Sequence, residues 1–263
     1  MGKHSTRGFT IIETMLVLAI TGLLVASLLA GIGTSIGVQR YRDSVTSLKS
    51  TIQDQYARVN NVSNPRDSNW TCDGTGTPVV ADNRGTNPGQ SKCVVMGRYL
   101  SIVDGTITTA SVVGFETQGA DDDTALSDVA LTKQNYSFGI AADSVETNTI
   151  EWDSTISLPG TSGPNSFALF ILRSPTNGSL YTFTAQNTAV QEITNVSSTT
   201  LKSMIVESAA EVPGQGARTL CVNPEGTIVN ERFAIYINAV STGPSSVESR
   251  SNTTSKAAGG PAC

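Results

Sequence analysis

Apolar and polar residues divide this chain into three regimes. Residues 9–38 read FTIIETMLVLAITGLLVASLLAGIGTSIGV, and from Thr14 through Val38 no residue is charged. As a helix, those 25 residues span roughly 37 Å at about 1.5 Å per residue, more than the roughly 30 Å hydrocarbon core of a bilayer. One acid, Glu13, interrupts the start of the run. Further on, Val38, Tyr41, Val45, Leu48, Ile52, Tyr56 and Val59 recur in steps of three and four, which is one stripe of a helix. Arg40, Arg42, Asp43, Lys49, Asp54 and Arg58 fall on its other faces. The pattern predicts one helix from Phe9 to about Val62, stopping before Asn64-Pro65 because a residue ahead of proline is pushed out of helical geometry. Its second half should bury the stripe against a β-sheet.

The third regime is strand-like. Residues 63–93 are dense in Gly, Pro, Asn and Asp and read as loop. CVVMGRYLSIVDGTITTASVVGFE then gives two strands turning at Asp104-Gly105, a strong hairpin signal. Further strands are expected at Thr149–Leu158, Ser166–Leu172 and Leu180–Ala185, and a second hairpin in RTLCVNPEGTIVNERFAIYINAV turning at Pro224-Glu225-Gly226. Residues 187–210 are ambiguous. The end, STGPSSVESRSNTTSKAAGGPAC, has the composition of a disordered tail except for its final cysteine. The fold class is therefore α+β, a long helix packed on an antiparallel sheet.

Composition narrows the chemistry. The single histidine is His4, so an imidazole base, a catalytic triad or a His-ligated metal is not expected. There is no phosphate-binding glycine loop and no Cys-x-x-Cys pair, and no residue is marked as catalytic or cofactor-binding. Asp121, Asp122, Asp123 and Asp128 invite a calcium reading, but they lack the spaced ligands and central glycine of a calcium loop. A net charge of -5 argues against general phosphate binding. Arg218, Arg232 and Arg250 are the candidate contacts if DNA is a partner, although scattered arginines on an acidic protein more often solubilise. Cys72, Cys93, Cys221 and Cys263 all follow the apolar run, an even number that suggests two disulfides with three connectivities. Proximity in sequence and the need to stake two loop-like segments favour Cys72–Cys93 and Cys221–Cys263.

Glu13 separates the readings of the apolar run. A secretory signal has a shorter apolar region, with VAS at Val25–Ser27 as a weak cleavage site, and a plain anchor fits the length. Neither explains an acid in the membrane, which costs roughly 2.5–3.5 kcal/mol and usually implies a partner. The leader MGKHSTRG carries Lys3 and Arg7 and no acid, and it is followed by FTIIE. This GFTIIE junction resembles the N-terminal motif of type IV prepilins and pseudopilins. The basic charge places the N-terminus in the cytoplasm. The resemblance implies cleavage by a prepilin peptidase between Gly8 and Phe9, methylation of the Phe9 amine, and assembly in which Glu13 pairs with the amine of a neighbouring subunit. It also implies these segments: residues 1–8 as leader, 9–38 as membrane and assembly half, 39–62 as amphipathic half, and 63–263 as β-rich head.

Partners implied in the same way are the peptidase, membrane lipid before assembly, copies of the chain and other pilins, and a pilus assembly platform. The location is a single-pass inner-membrane precursor, then an extracellular pilus or a pseudopilus. The last hairpin is loosely similar to the minor-pilin and pseudopilin group called GspH/FimT-like. That leaves a minor subunit whose head binds DNA, a surface or a partner as the alternative to a plain structural subunit. Unlike many pilins, the chain has no proline between Met1 and Val62.

Overall fold

A computed structural model describes residues 8–61, 70–72, 78–80, 93–117, 127–161, 163–206, 218–224, 231–238, 242–251 and 263. Helix α1 runs unbroken from Ile11 to Asn60. It starts two residues later than the pattern predicts because Thr10 is its N-cap, with extended backbone and a side chain that accepts the Glu13 amide hydrogen at 3.3 Å. Thr10-Ile11-Ile12-Glu13 has the spacing of a capping box, and the acid in the first turn also complements the helix dipole.

The antiparallel head is built on two main sheets. In the larger one, β3 (Cys93–Val103) and β4 (Thr106–Glu116) form a hairpin. Asp104 and Gly105 both have positive φ, at 47° and 77°, as a tight two-residue turn requires. β5 (Tyr136–Ile140) and β6 (Glu146–Thr149) pair successive stretches of β4, and β8 (Phe167–Arg173) and β9 (Leu180–Gln186) extend the other side. The second sheet has the order β12 (Val247–Ser251), β11 (Phe233–Ile237), β10 (Arg218–Asn223), β7 (Thr155–Ser157). A short pair, β1 (Trp70–Cys72) and β2 (Pro78–Val80), lies apart.

The larger sheet is a middle layer. Its β8 sends Phe167, Leu169 and Ile171 to one core and Ala168, Phe170 and Leu172 to another, which is why FALFILR reads as a continuous apolar run. In the first core lie Tyr41, Val45, Leu48, Ile52, Tyr56 and Val59 of α1, together with Leu220, Ile235 and Val247 of the second sheet. The stripe thus docks where the periodicity places it. Each buried Val, Leu or Ile contributes about 1.5–3 kcal/mol over its exposed state. On the opposite face sit short helices α2 (Asp128–Asn135) and α3 (Ser198–Met204), with Val129, Leu201 and Met204 buried. Gly97, beside a bulge in β3, passes β8 so closely that a Cβ would overlap the Ile171 carbonyl oxygen.

Three expectations change. Thr149–Leu158 is not one strand: β6 ends at Thr149, Trp152 and Asp153 turn the chain with positive φ, and β7 joins the other sheet. The C-terminal segment does not lack structure throughout, since Val247–Ser251 pairs with β11 as β12. Ambiguous residues 187–210 include α3, whose N-cap Ser197 accepts from the Thr200 amide. The turn at Glu225-Gly226 and Asp121, Asp122 and Asp123 lie outside the described residues.

Candidate functional site

Among the described residues, most of the exposed large apolar side chains lie on the first half of α1. Phe9, Ile11, Ile12, Met15, Leu18, Leu23, Leu28 and Leu29 all project free of the head, and the most apolar 18-residue window of the helix is entirely unburied. By length and composition this helix can cross a membrane. Its hydroxyls suit that setting. Thr14 donates to the Ile11 carbonyl oxygen at 2.9 Å, Thr21 to Val17 at 2.7 Å and Ser27 to Leu23 at 2.9 Å. Each of these hydroxyls is therefore satisfied within the helix, as an apolar solvent demands.

Gly8, Phe9 and Thr10 precede the helix in non-helical backbone. The Gly8–Phe9 bond is exposed, with no atom within 4 Å of where a Cβ on Gly8 would stand. Glu13 is exposed one turn into α1, and among the described residues no cation of the chain pairs with it. Its amide donates to the Thr10 side chain.

The second half of α1 is fixed to the head by polar as well as apolar contacts. Tyr41 donates its hydroxyl to the Val222 carbonyl oxygen at 2.9 Å and accepts the Phe233 amide hydrogen at 2.6 Å. Burial raises its pKa, and the Phe233 hydrogen bond opposes that rise. Arg98 of β3, only 5% exposed, points to the helix. It donates through Nε to Gln55 Oε1 at 2.8 Å, through Nη1 to Ser111 at 2.9 Å and through Nη2 to Thr109 at 3.2 Å. Burial among these neutral acceptors, and then the nearby Arg58 charge, lower its pKa. Arg58 itself reaches Asp54 and Glu146, both at 2.6 Å, on the rim of an open polar groove of about 560 Å³ between α1 and β6. The Glu146 hydrogen bond is the main cause raising the Arg58 pKa.

The structure joins Cys93, at the start of β3, to Cys72 of β1, and Cys221 of β10 to Cys263. Of the three candidate DNA contacts, Arg232 is exposed just ahead of β11, and Arg218 and Arg250 do not converge. Half-buried Arg218 donates to Thr184 at 2.6 Å, and Arg250 pairs with Glu248 and covers the Tyr236 ring at 4.0 Å. The register separates them too: Arg218 lies opposite Ile237 of β11, and Arg250 opposite Ala234. Asp128, the described member of the acidic run, accepts from Ser174 at 2.8 Å and Tyr181 at 2.9 Å. Among the described residues, no group of three His, Cys, Asp or Glu side chains is placed to hold a metal.

A family model described as the prokaryotic N-terminal methylation motif matches residues 3–29, which include the GFTIIE junction and most of the exposed apolar helix. The match supports reading the N-terminus as that of a type IV prepilin or pseudopilin. The motif points to a structural, non-enzymatic protein processed by a prepilin peptidase and assembled with other pilins. Together with the exposed helix it fits an inner-membrane precursor that is later assembled. No curated protein and no solved structure significantly matches the chain.

Sequence reasoning passed over several residues at this site. Thr10 was readable, since Thr-x-x-Glu before an apolar run signals a helix start. Arg98, Gln55 and Trp152 carry no local pattern; only the packing of β3, β6 and β7 on α1 gives them roles.

Proposed function

We propose that this chain is a filament subunit of a type IV pilus or related pseudopilus. The leader, residues 1–8, is removed between Gly8 and Phe9, and the new Phe9 amine is methylated. Residues 9–38 hold the subunit in the inner membrane with its N-terminus in the cytoplasm, and afterwards pack in the filament shaft. Residues 39–62 and 63–263 form the head unit. Glu13 meets the amine of an adjacent subunit, offsetting the burial of both charges.

The observation that carries this reading is an apolar helix, exposed on all sides, continuous with a stripe buried in a folded head. A lone anchor needs neither an acid at Glu13 nor such continuity; a subunit that must slide from lipid into a shaft uses both. The engaged positions of Arg218 and Arg250 favour a structural head over a DNA-binding one.

Gly8→Val tests processing. The space around Gly8 is open and no positive φ requires glycine there, so the substitution leaves the chain's own structure unchanged. Loss of cleavage would then report the peptidase's need for a small residue. Normal maturation of Gly8→Val at Phe9 would refute the assignment, and a mature terminus beyond Val25 would favour a signal peptide. Detection of the chain in sheared surface filaments would separate a pilus subunit from a pseudopilus component.

A further inference from the structure

Among the described residues of the head, Trp152 is the most exposed large hydrophobic side chain, at 51%. It is presented by an unusual turn: Trp152 (φ 58°, ψ 39°) and Asp153 (φ 51°) are consecutive non-glycine residues in left-handed geometry. The turn connects β6 of one sheet to β7 of the other, so the two sheets fix its position from both sides. The indole does not fold back onto the core. It lies under the Arg40 guanidinium, whose central carbon is 4.6 Å from the ring centroid, beside Gly37 and Tyr41.

That position along α1 is informative. The uncharged run ends at Val38, and Arg40 is two residues on, about 3 Å further along the axis. Tyr41 is the first residue of the stripe to be fully buried, so this is the base of the head, where the exposed helix emerges. If residues 14–38 cross the bilayer, the Trp152 ring stands at the depth where hydrocarbon gives way to headgroups. Trp is favoured at that depth because its ring is apolar and its N–H polar. An arginine there keeps its stem in apolar surroundings and its charge among the headgroups. Charges next to Arg40 and Trp152 along the chain are mixed, with Arg40 and Arg42 against Asp43, Glu151 and Asp153, so attraction to anionic lipid is not the main force.

We propose that Trp152 and Arg40 form an interfacial foot that seats the base of the head on the headgroup layer of the membrane holding the helix. The foot fixes how far the helix enters the bilayer and how the head is oriented above it before assembly. This inference rests on the membrane-anchored reading above.

The test uses the full chain carrying Trp70→Phe, which leaves Trp152 as its only tryptophan, reconstituted into phosphatidylcholine vesicles. Half the preparations contain lipid brominated near the headgroup end of the acyl chain, and half lipid brominated near the terminal methyl. The expected result is that the protein floats with the vesicles, that shallow bromines quench most of the Trp152 emission, and that deep bromines quench little. The converse variant, Trp152→Phe, keeps Trp70 in β1, which is linked through Cys72 to the end of β3 far from Asp104-Gly105 and the base. Its emission should stay unquenched by either lipid. Flotation with unquenched Trp152, or with quenching only by deep bromines, would overturn the foot while leaving the anchor intact. Failure to float would overturn the anchored reading and the foot with it.

Discussion

The grip of the head on α1 can be measured at one buried hydrogen bond. Arg98 Nε and Gln55 Oε1 are 2.8 Å apart, and both residues are almost fully buried, at 5% and 2% exposure. A hydrogen bond to a charged group contributes about 1.5–3 kcal/mol net. Single truncations would mix this with lost packing and with the unpaired groups left behind, so the informative quantity is the coupling in a double-mutant cycle of Gln55→Ala and Arg98→Ala. The expected coupling is about 1.5–3 kcal/mol, or roughly 3–12 °C of thermal midpoint at about 2–4 °C per kcal/mol for a chain of this size. The control is the Arg58–Glu146 pair, which also joins α1 to the sheet and is shorter, at 2.6 Å, but has side chains 40% and 47% exposed. Solvent screening should hold its coupling to about 0.2–1 kcal/mol. Both cycles can be run by chemical denaturation of the full chain in detergent micelles, followed by near-ultraviolet circular dichroism. If the exposed ion pair couples as strongly as the buried one, or Gln55 and Arg98 couple by less than about 0.5 kcal/mol, burial is not what gives this contact its strength.

Two further outcomes are expected. Replacing both cysteines of a bridge by serine should cost about 3 kcal/mol for Cys72–Cys93 and about 4 kcal/mol for Cys221–Cys263, from sequence separations of 21 and 42, and denaturation midpoints read the difference; peptide mapping that links Cys93 to Cys221 would overturn the pairing itself. Burial pushes the Tyr99 hydroxyl up to about 12 from 10.0, so its neutral form is held in the folded protein and stability is lost as pH rises from 10 to 12. The loss is up to about 3 kcal/mol by linkage, and a Tyr99→Phe variant with the same alkaline fall would refute this attribution.

What could be read from residue order followed how local each signal was. The Glu13 junction, the uncharged run, the three-four stripe of α1 and the Asp104-Gly105 turn each depend on neighbours within a few positions; the junction falls within the family match, and the others have their counterparts in the fold. Thr149–Leu158 misled because its β-prone residues are continuous while its backbone is not. Trp152 and Asp153 adopt left-handed geometry, which no propensity assigns to a tryptophan; two sheets pulling the chain in different directions impose it. β12 was hidden because VESRS is polar apart from buried Val247, and its pairing with β11 supplies what composition lacks. Arg98 gave no warning either. An arginine in a strand is ordinarily a surface residue, and the acceptors Gln55, across the helix–sheet seam, and Ser111 and Thr109 of β4 make its burial tolerable.

Glu13 now has two physical explanations, and one substitution separates them. In the isolated chain it occupies the third helical position after Thr10, where glutamate suits both the capping box and the positive end of the helix dipole. That alone would justify an acid at the start of the helix without any partner. The assembly reading instead requires the charge, to meet the Phe9 amine of a neighbour. Glu13→Gln keeps the length, the helix propensity and the capping capacity, since glutamine serves at that position as glutamate does. It gives up only the dipole interaction, about 0.3–1 kcal/mol, and removes a costly charge from lipid. Insertion and cleavage after Gly8 should therefore proceed as in the unaltered chain. In a filament, however, the incoming amine would be buried without a counter-charge, at about 3–5 kcal/mol for each subunit added. The expected result is processed, membrane-held Glu13→Gln protein that is missing from sheared filaments, as Glu13→Ala should also be. If Glu13→Gln assembles normally while Glu13→Ala does not, the residue acts as a helix start and the registration role is wrong.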